Sequence, residues 1–139
     1  MIKINDLIKF NEKSIFDGAV QLDWVYDREM RDLVSSSYVF HGPKYHGVSE
    51  DDIGKSSHKL IDSASFVNEI SKKLYGNEDE KNFIMAIANY GTGKSHLAVT
   101  MSTMFSEGKL GSQSKRIINN IKLADEDIGI EIENSATCC

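Results

Sequence analysis

The residues best suited to chemistry lie together in one stretch, Ala88-Asn89-Tyr90-Gly91-Thr92-Gly93-Lys94-Ser95. Gly91 and Gly93 can adopt backbone angles that other residues disfavour, so successive N–H groups can turn toward one anion. Lys94 adds a mobile positive charge, and the hydroxyl of Ser95 suits Mg²⁺, which prefers oxygen ligands. This combination indicates a phosphate-binding P-loop (Walker A), with ATP and Mg²⁺ as the expected cofactors.

The segments on either side of this stretch are those that a P-loop requires. The apolar run at residues 83–87 is typical of a strand buried on both faces of a sheet, and a helical pattern follows at residues 96–105. The positive end of that helix dipole would point at the phosphates. The pattern usually opens with Gly, and Ala88 is a mild departure from it. The predicted nucleotide contacts are Ala88, Asn89, Tyr90, Gly91, Thr92, Gly93, Lys94, Ser95 and His96, with the Ser95 hydroxyl also on Mg²⁺.

Composition describes a soluble globular chain. Of its 139 residues, 40% are hydrophobic and 27% are charged, which suits one domain with its own core. The net charge of −5 argues against direct nucleic-acid binding, because affinity for a phosphate backbone needs a basic face. No apolar run is long enough to cross a bilayer. No signal peptide is visible, so a cytoplasmic location is expected.

Two further helices are predicted ahead of the loop. Asp27 can cap a helix that runs to about Ser35, and Ser63 or Ser65 can cap another that ends at Tyr75. Apolar residues at helical spacing are expected to form the buried face of the second helix. They are Phe66, Val67, Ile70 and Leu74.

The chain beyond Ser112 reads as one long amphipathic helix with apolar residues at helical spacing. These are Ile117, Ile121, Ala124, Ile128 and Ile132. The acidic run Asp125-Glu126-Asp127 invites comparison with the metal-binding acidic pair of ATPases. Such a pair ends a buried apolar strand, so we interpret this run as a solvated helix face.

Together these patterns predict an α/β fold. Residues 61–139 are expected to be a partial P-loop NTPase domain (strand, P-loop, helix) with a Walker A loop and no Walker B acid. Residues 1–60 would be a mainly helical N-terminal segment of unclear fold. A strand at residues 83–87 needs parallel neighbours, which normally follow it in the chain and are not found after it here. Unless the first sixty residues cover this strand, we expect an incomplete domain of a longer ATPase. This chain alone lacks the residues for hydrolysis.

The stretch from residue 87 to residue 98 resembles the P-loop of large AAA-like ATPases from bacterial anti-phage systems, of the BREX and related DNA-modification-linked types. An aromatic residue followed by Gly-Ser/Thr-Gly-Lys-Ser-His-Leu is a familiar form in that group. The resemblance implies a role in DNA-directed phage defence, with DNA-processing proteins as partners. It also implies that ATP and Mg²⁺ are contacted by Gly91, Gly93, Lys94 and Ser95.

Two other functions are compatible with the sequence. A small P-loop kinase or phosphotransferase would share the Gly-x-Gly-Lys-Ser pattern, although Arg116 is the only arginine after Lys94 and no arginine-rich lid follows. A non-catalytic interaction module would bind a partner protein, with nucleotide as a structural ligand or absent.

Overall fold

A computed structural model describes residues 19–44, 61–75, 84–89, 91–108 and 111–135. Within these ranges a short 3-10 helix at Leu22–Tyr26 precedes five α-helices. They are α1 (Arg28–Ser37), α2 (Ser63–Tyr75), α3 (Lys94–Glu107), α4 (Ser112–Ala124) and α5 (Glu126–Ser135). In the described ranges, no helix has the length and apolar character needed to span a membrane.

The predicted α/β fold is wrong. Helices make up 72% of the described residues, and none of these residues lies in a strand or sheet. Residues 84–87, the described part of the predicted strand, have no strand partner among the described residues, and Met85 and Ile87 are 67% and 71% exposed. A short apolar run is an ambiguous signal, and a strand forms only where a neighbour pairs with its N–H and C=O groups. Phe83 and Tyr90 lie outside the described residues.

Asp side chains cap the first two helices. The Oδ1 atom of Asp27 accepts hydrogen bonds from the N–H groups of Glu29 and Met30, at 3.0 and 3.1 Å. This confirms the predicted cap of α1. At α2 the Oδ1 atom of Asp62 accepts from the N–H of Ser65 at 2.8 Å, so the capping side chain belongs to Asp62 rather than to either serine.

The buried face of α2 differs from the predicted one. The buried residues recur at helical spacing but include polar side chains: Ala64, Val67, Asn68 and Ser71. Leu74, expected in the core, is 57% exposed. The Nδ2 group of the buried Asn68 donates to Oε2 of Glu131 on α5, at 2.6 Å, whereas its Oδ1 has no hydrogen-bond partner among the described residues. A buried amide with a partner costs far less than one without, so the apolar pattern alone could not locate this face.

The predicted long C-terminal helix is two helices that meet at Asp125. This residue is extended, with φ −157° and ψ 116°. Its N–H donates to the carbonyl of Ile121 at 2.8 Å, and its Oδ1 accepts from the N–H of Ile128 at 3.1 Å. One residue therefore ends α4 and caps α5. The second helix then packs beside the first, so the apolar positions expected of one helix still reach the core.

The core lies where α2, α4 and α5 meet the inner side of α3. Its members are apolar residues with at most 5% exposure, namely Phe40, Ala64, Val67, Met104, Ile117, Ile118, Ile121 and Ile132. Helix α1 packs against α3 and, less extensively, against α4, and small polar residues are part of its contact with α3. There Ser35 and Thr103 are fully buried, with their hydroxyl oxygens 2.9 Å apart. Helix α3 is thus held by contacts with the neighbouring helices, and the glycine-rich loop immediately precedes its N-terminal end.

Glu131 gives the α2–α5 contact a pH dependence. The hydrogen bond from Lys72, at 2.7 Å, and then the one from Asn68 hold the pKa of the Glu131 carboxyl below its ordinary value. A lowered folded-state pKa stabilises the fold above the unfolded-state pKa, and this stabilisation is lost as the pH falls through the folded-state pKa. We expect Glu131→Gln to be less stable than the unaltered protein at pH 7, and this difference to shrink below about pH 4. Urea denaturation across the pH range measures it, and a constant difference would contradict the assignment.

Candidate functional site

The loop ahead of α3 has the backbone conformation that its glycines permit. Gly91 and Gly93 both have a φ of 78°, in the left-handed region. A Cβ atom at either position would meet nothing within 4 Å, so it is the backbone angle rather than lack of space that requires glycine. Gly93 is the N-cap of α3, and it makes no side-chain capping hydrogen bond. The first-turn N–H groups of a helix have no partners within the helix and point along its axis past the N-terminus, which is where this loop precedes α3.

The ammonium group of Lys94 lies across the loop. Its Nζ donates to the carbonyl oxygens of Ala88 and Asn89, at 2.9 and 2.5 Å, and lies 3.5 Å from Oγ1 of Thr92. The Thr92 hydroxyl in turn donates to the Asn89 carbonyl at 2.8 Å. These contacts join the start of the loop to its end. Ala88 and Asn89 therefore meet the lysine through their carbonyl groups.

Ser95 is half-buried in the first turn of α3. Across the described parts of the chain, no group of three His, Cys, Asp or Glu side chains could hold a metal ion. If Mg²⁺ bound at the Ser95 hydroxyl, its remaining ligands would be phosphate oxygens and water, a coordination that Mg²⁺ commonly adopts.

The side chain of His96 is not with the other predicted contacts. Its Nε2 lies 2.8 Å from the carbonyl oxygen of Val34 and 3.3 Å from Oγ of Ser37, both in α1. The ring also meets Tyr38 edge-on, with centroids 4.9 Å apart. Because a carbonyl oxygen can only accept, Nε2 must carry a hydrogen. His96 can thus contribute its backbone to the loop end of α3, whereas its ring faces α1.

The loop is open to solvent. All of the described residues from 85 to 94 are exposed. A small cavity lies elsewhere, bounded by residues of α2, α3, α4 and α5 that include Ser71, Phe105 and Ser114. The loop thus offers N–H donors and a positive charge to a phosphate chain, but the described residues do not enclose a space beside it for a nucleotide base.

The left-handed conformation of Gly91 and Gly93 follows from local sequence, whereas the His96 contact could not be predicted. That hydrogen bond joins residues 62 positions apart, and nothing in the local pattern signals it. Comparison of the chain with protein-family models, with curated proteins and with solved structures found no match. The function of the loop therefore has to be inferred from its own geometry and charge.

Proposed function

We propose that the loop from Ala88 to Ser95 binds the polyphosphate of a nucleotide, with ATP and Mg²⁺ as the ligand pair. The observation that carries the proposal is the position of Lys94. Its ammonium lies over a loop with two left-handed glycines, at a helix N-terminus whose N-cap residue, Gly93, has no side chain to cap it. Backbone N–H groups, the helix dipole and a lysine are the groups that bind phosphate in such loops.

The charge distribution around the loop supports the same proposal. The chain as a whole is acidic, with a net charge of −5. From residue 84 to residue 106, however, it has no Asp or Glu, and Lys94 is the basic residue of that stretch. A phosphate chain approaching this loop meets no carboxylate from the neighbouring sequence. Carboxylates beside the loop would repel a phosphate chain, although less strongly at this solvent-exposed site than in a buried one, so their absence from this stretch favours an anionic ligand.

The proposal is limited to binding. The acidic run after α4 provides no metal-binding pair, because the Asp125 carboxylate caps α5. By its resemblance to the P-loops of AAA-like ATPases from BREX-type anti-phage systems, the loop would be the nucleotide-binding part of an ATPase that works with DNA-processing proteins. That biological role is supported by the sequence from residue 87 to residue 98.

Lys94→Ala is expected to weaken Mg-ATP binding by about 2 kcal/mol, or about 30-fold, because a charge-assisted phosphate contact is lost. The matched control is Lys115→Ala, which removes the same charge from an exposed position on α4. The control should bind within about twofold of the unaltered protein, since screening reduces the effect of distant surface charges. Titration with a fluorescent ATP analogue at fixed ionic strength measures both variants. Equal affinity of the Lys94 variant and the unaltered protein would overturn the proposal.

Thermal melting separates nucleotide binding from the interaction-module alternative. A ligand that binds only the folded state must stabilise it, by about 2.7 kcal/mol at a concentration 100 times its Kd. Millimolar Mg-ATP should therefore raise the melting temperature of the unaltered protein and have less effect on Lys94→Ala. A melting temperature unmoved by millimolar Mg-ATP would favour a protein-binding module without nucleotide.

A further inference from the structure

The hydrogen bonds that hold the phosphate loop in shape are made mainly within the loop. The side-chain hydrogen bonds of Lys94 and Thr92 end on loop carbonyls, and the described loop residues are exposed. The direction of its N–H donors therefore depends on the first turn of α3. The contacts that hold this first turn against the rest of the protein therefore also set the positions of the N–H groups that would bind a phosphate.

His96 connects this turn to the C-terminal end of α1. Val34 is one of the last four residues of α1, whose carbonyl groups have no backbone N–H partner within the helix. The Nε2–H of His96 donates to that carbonyl at 2.8 Å, and the Ser37 hydroxyl donates to it at 3.0 Å. The negative end of the α1 dipole favours such donors. The hydrogen bond thus joins the beginning of one helix to the end of another.

The segment that the His96 ring contacts, from Tyr38 to His41, is itself fixed by contacts with the core and with α2. The ring of Tyr38 packs edge-on against His96 and against Phe40, whose centroid lies 4.7 Å from that of Tyr38. Phe40 is only 5% exposed and belongs to the core. One residue further, the N–H of His41 donates to Oγ of Ser63 at the start of α2, at 2.8 Å. His96 therefore contacts a segment fixed at both the core and α2.

We propose that His96 is a positioning residue for the phosphate loop, an inference that rests on the proposed nucleotide-binding function. Its side chain holds the first turn of α3 against α1, so that the N–H groups beside Lys94 and Ser95 keep their direction. Its ring need not touch the ligand. Binding sites depend on donors being held within about 0.5 Å of the productive geometry, so loss of this contact should weaken binding.

The test compares His96→Ala with His96→Gln, whose amide can still donate to the Val34 carbonyl. The probe is inorganic tripolyphosphate with Mg²⁺, because it reports phosphate binding without a base. We expect His96→Ala to bind about tenfold more weakly than the unaltered protein, and His96→Gln to recover to within about threefold. Calorimetric titration at a temperature where circular dichroism shows each variant to be folded gives these affinities.

Thr103→Val is the matched structural control, because Thr103 lies in the same α1–α3 contact but two turns further from the loop. It should lower the melting temperature while leaving tripolyphosphate affinity unchanged. Equal affinity of His96→Ala and the unaltered protein would overturn the inference, as would an equal loss in Thr103→Val. Amide hydrogen exchange without ligand adds a second measurement, in which residues 94–97 should exchange faster in His96→Ala than in His96→Gln.

The two proposals fail in different ways. If the unaltered protein and Lys94→Ala both fail to bind tripolyphosphate, the proposed function is wrong and the positioning role falls with it. If the unaltered protein binds and Lys94→Ala does not, while His96→Ala keeps full affinity, the proposed function stands and the positioning role alone is wrong.

Discussion

Ile121→Ala is expected to lower the free energy of unfolding by about 2–5 kcal/mol, which is the usual cost of truncating a buried isoleucine. Ile121 is fully buried in the core near the end of α4. Its removal would lose apolar burial and leave a cavity that the surrounding helices could only partly fill. Urea denaturation followed by circular dichroism measures the change through the transition midpoint.

The matched control is Ile87→Ala, the same chemical change at a residue that is 71% exposed. Substitutions at exposed positions usually change stability by less than about 0.5 kcal/mol. The pair also tests the correction of the fold, because the α/β prediction placed Ile87 in a buried strand. A loss of several kcal/mol at Ile87 would mean that this side chain is buried in solution, contrary to the helical structure.

Gly129→Val is expected to destabilise the protein by about 3 kcal/mol, at the upper end of the usual cost of overpacking. A Cβ atom on Gly129 would lie 2.9 Å from both the Cα and the backbone N of Lys122. Those atoms belong to α4 and cannot move without displacing the helix. The two extra methyl groups of valine increase the conflict. Thermal and urea denaturation should both show the loss.

Whether Gly129→Ala stabilises or destabilises the protein distinguishes the close contact with Lys122 from the effect of helix propensity alone. In a helix without such a neighbour, Gly→Ala stabilises by about 1 kcal/mol. Here the close approach of α4 should make alanine destabilising, with valine worse. Glu126→Val, which adds the same side chain at the exposed first residue of α5, should cost less than about 1 kcal/mol. A stabilising Gly129→Ala would contradict the close packing of the two helices.

The parts of the fold that depend on local signals could be predicted from the sequence. Asp27 followed by a helical pattern predicted the start of α1, and the isoleucine spacing from Ile117 to Ile132 identified core positions of α4 and α5 correctly. The break between those helices was missed. An acidic residue in an apolar pattern can be either a solvated helix position or a cap, and only the hydrogen bond from the Ile128 N–H shows that Asp125 is the cap.

The parts that depend on distant partners could not be predicted. The burial of Asn68 requires Glu131, which lies 63 residues later in the sequence. The predicted strand failed for a related reason, since strand formation requires a pairing partner and a short apolar run does not identify one. At the candidate site, the glycine and lysine positions follow from local chemistry, whereas the direction of the His96 ring follows from a contact with α1.

The hydrogen bonds of the Lys94 ammonium have a consequence for how an anion would reach the loop. An ammonium group has three N–H donors. The carbonyl oxygens of Ala88 and Asn89 occupy two of them, and the third has only a distant contact, 3.5 Å from Thr92. An incoming phosphate oxygen can therefore take the third donor before either carbonyl is released. The long lysine side chain is already ordered at that moment, so its rotamer entropy, up to about 2 kcal/mol, opposes association less than it would for a freely moving lysine.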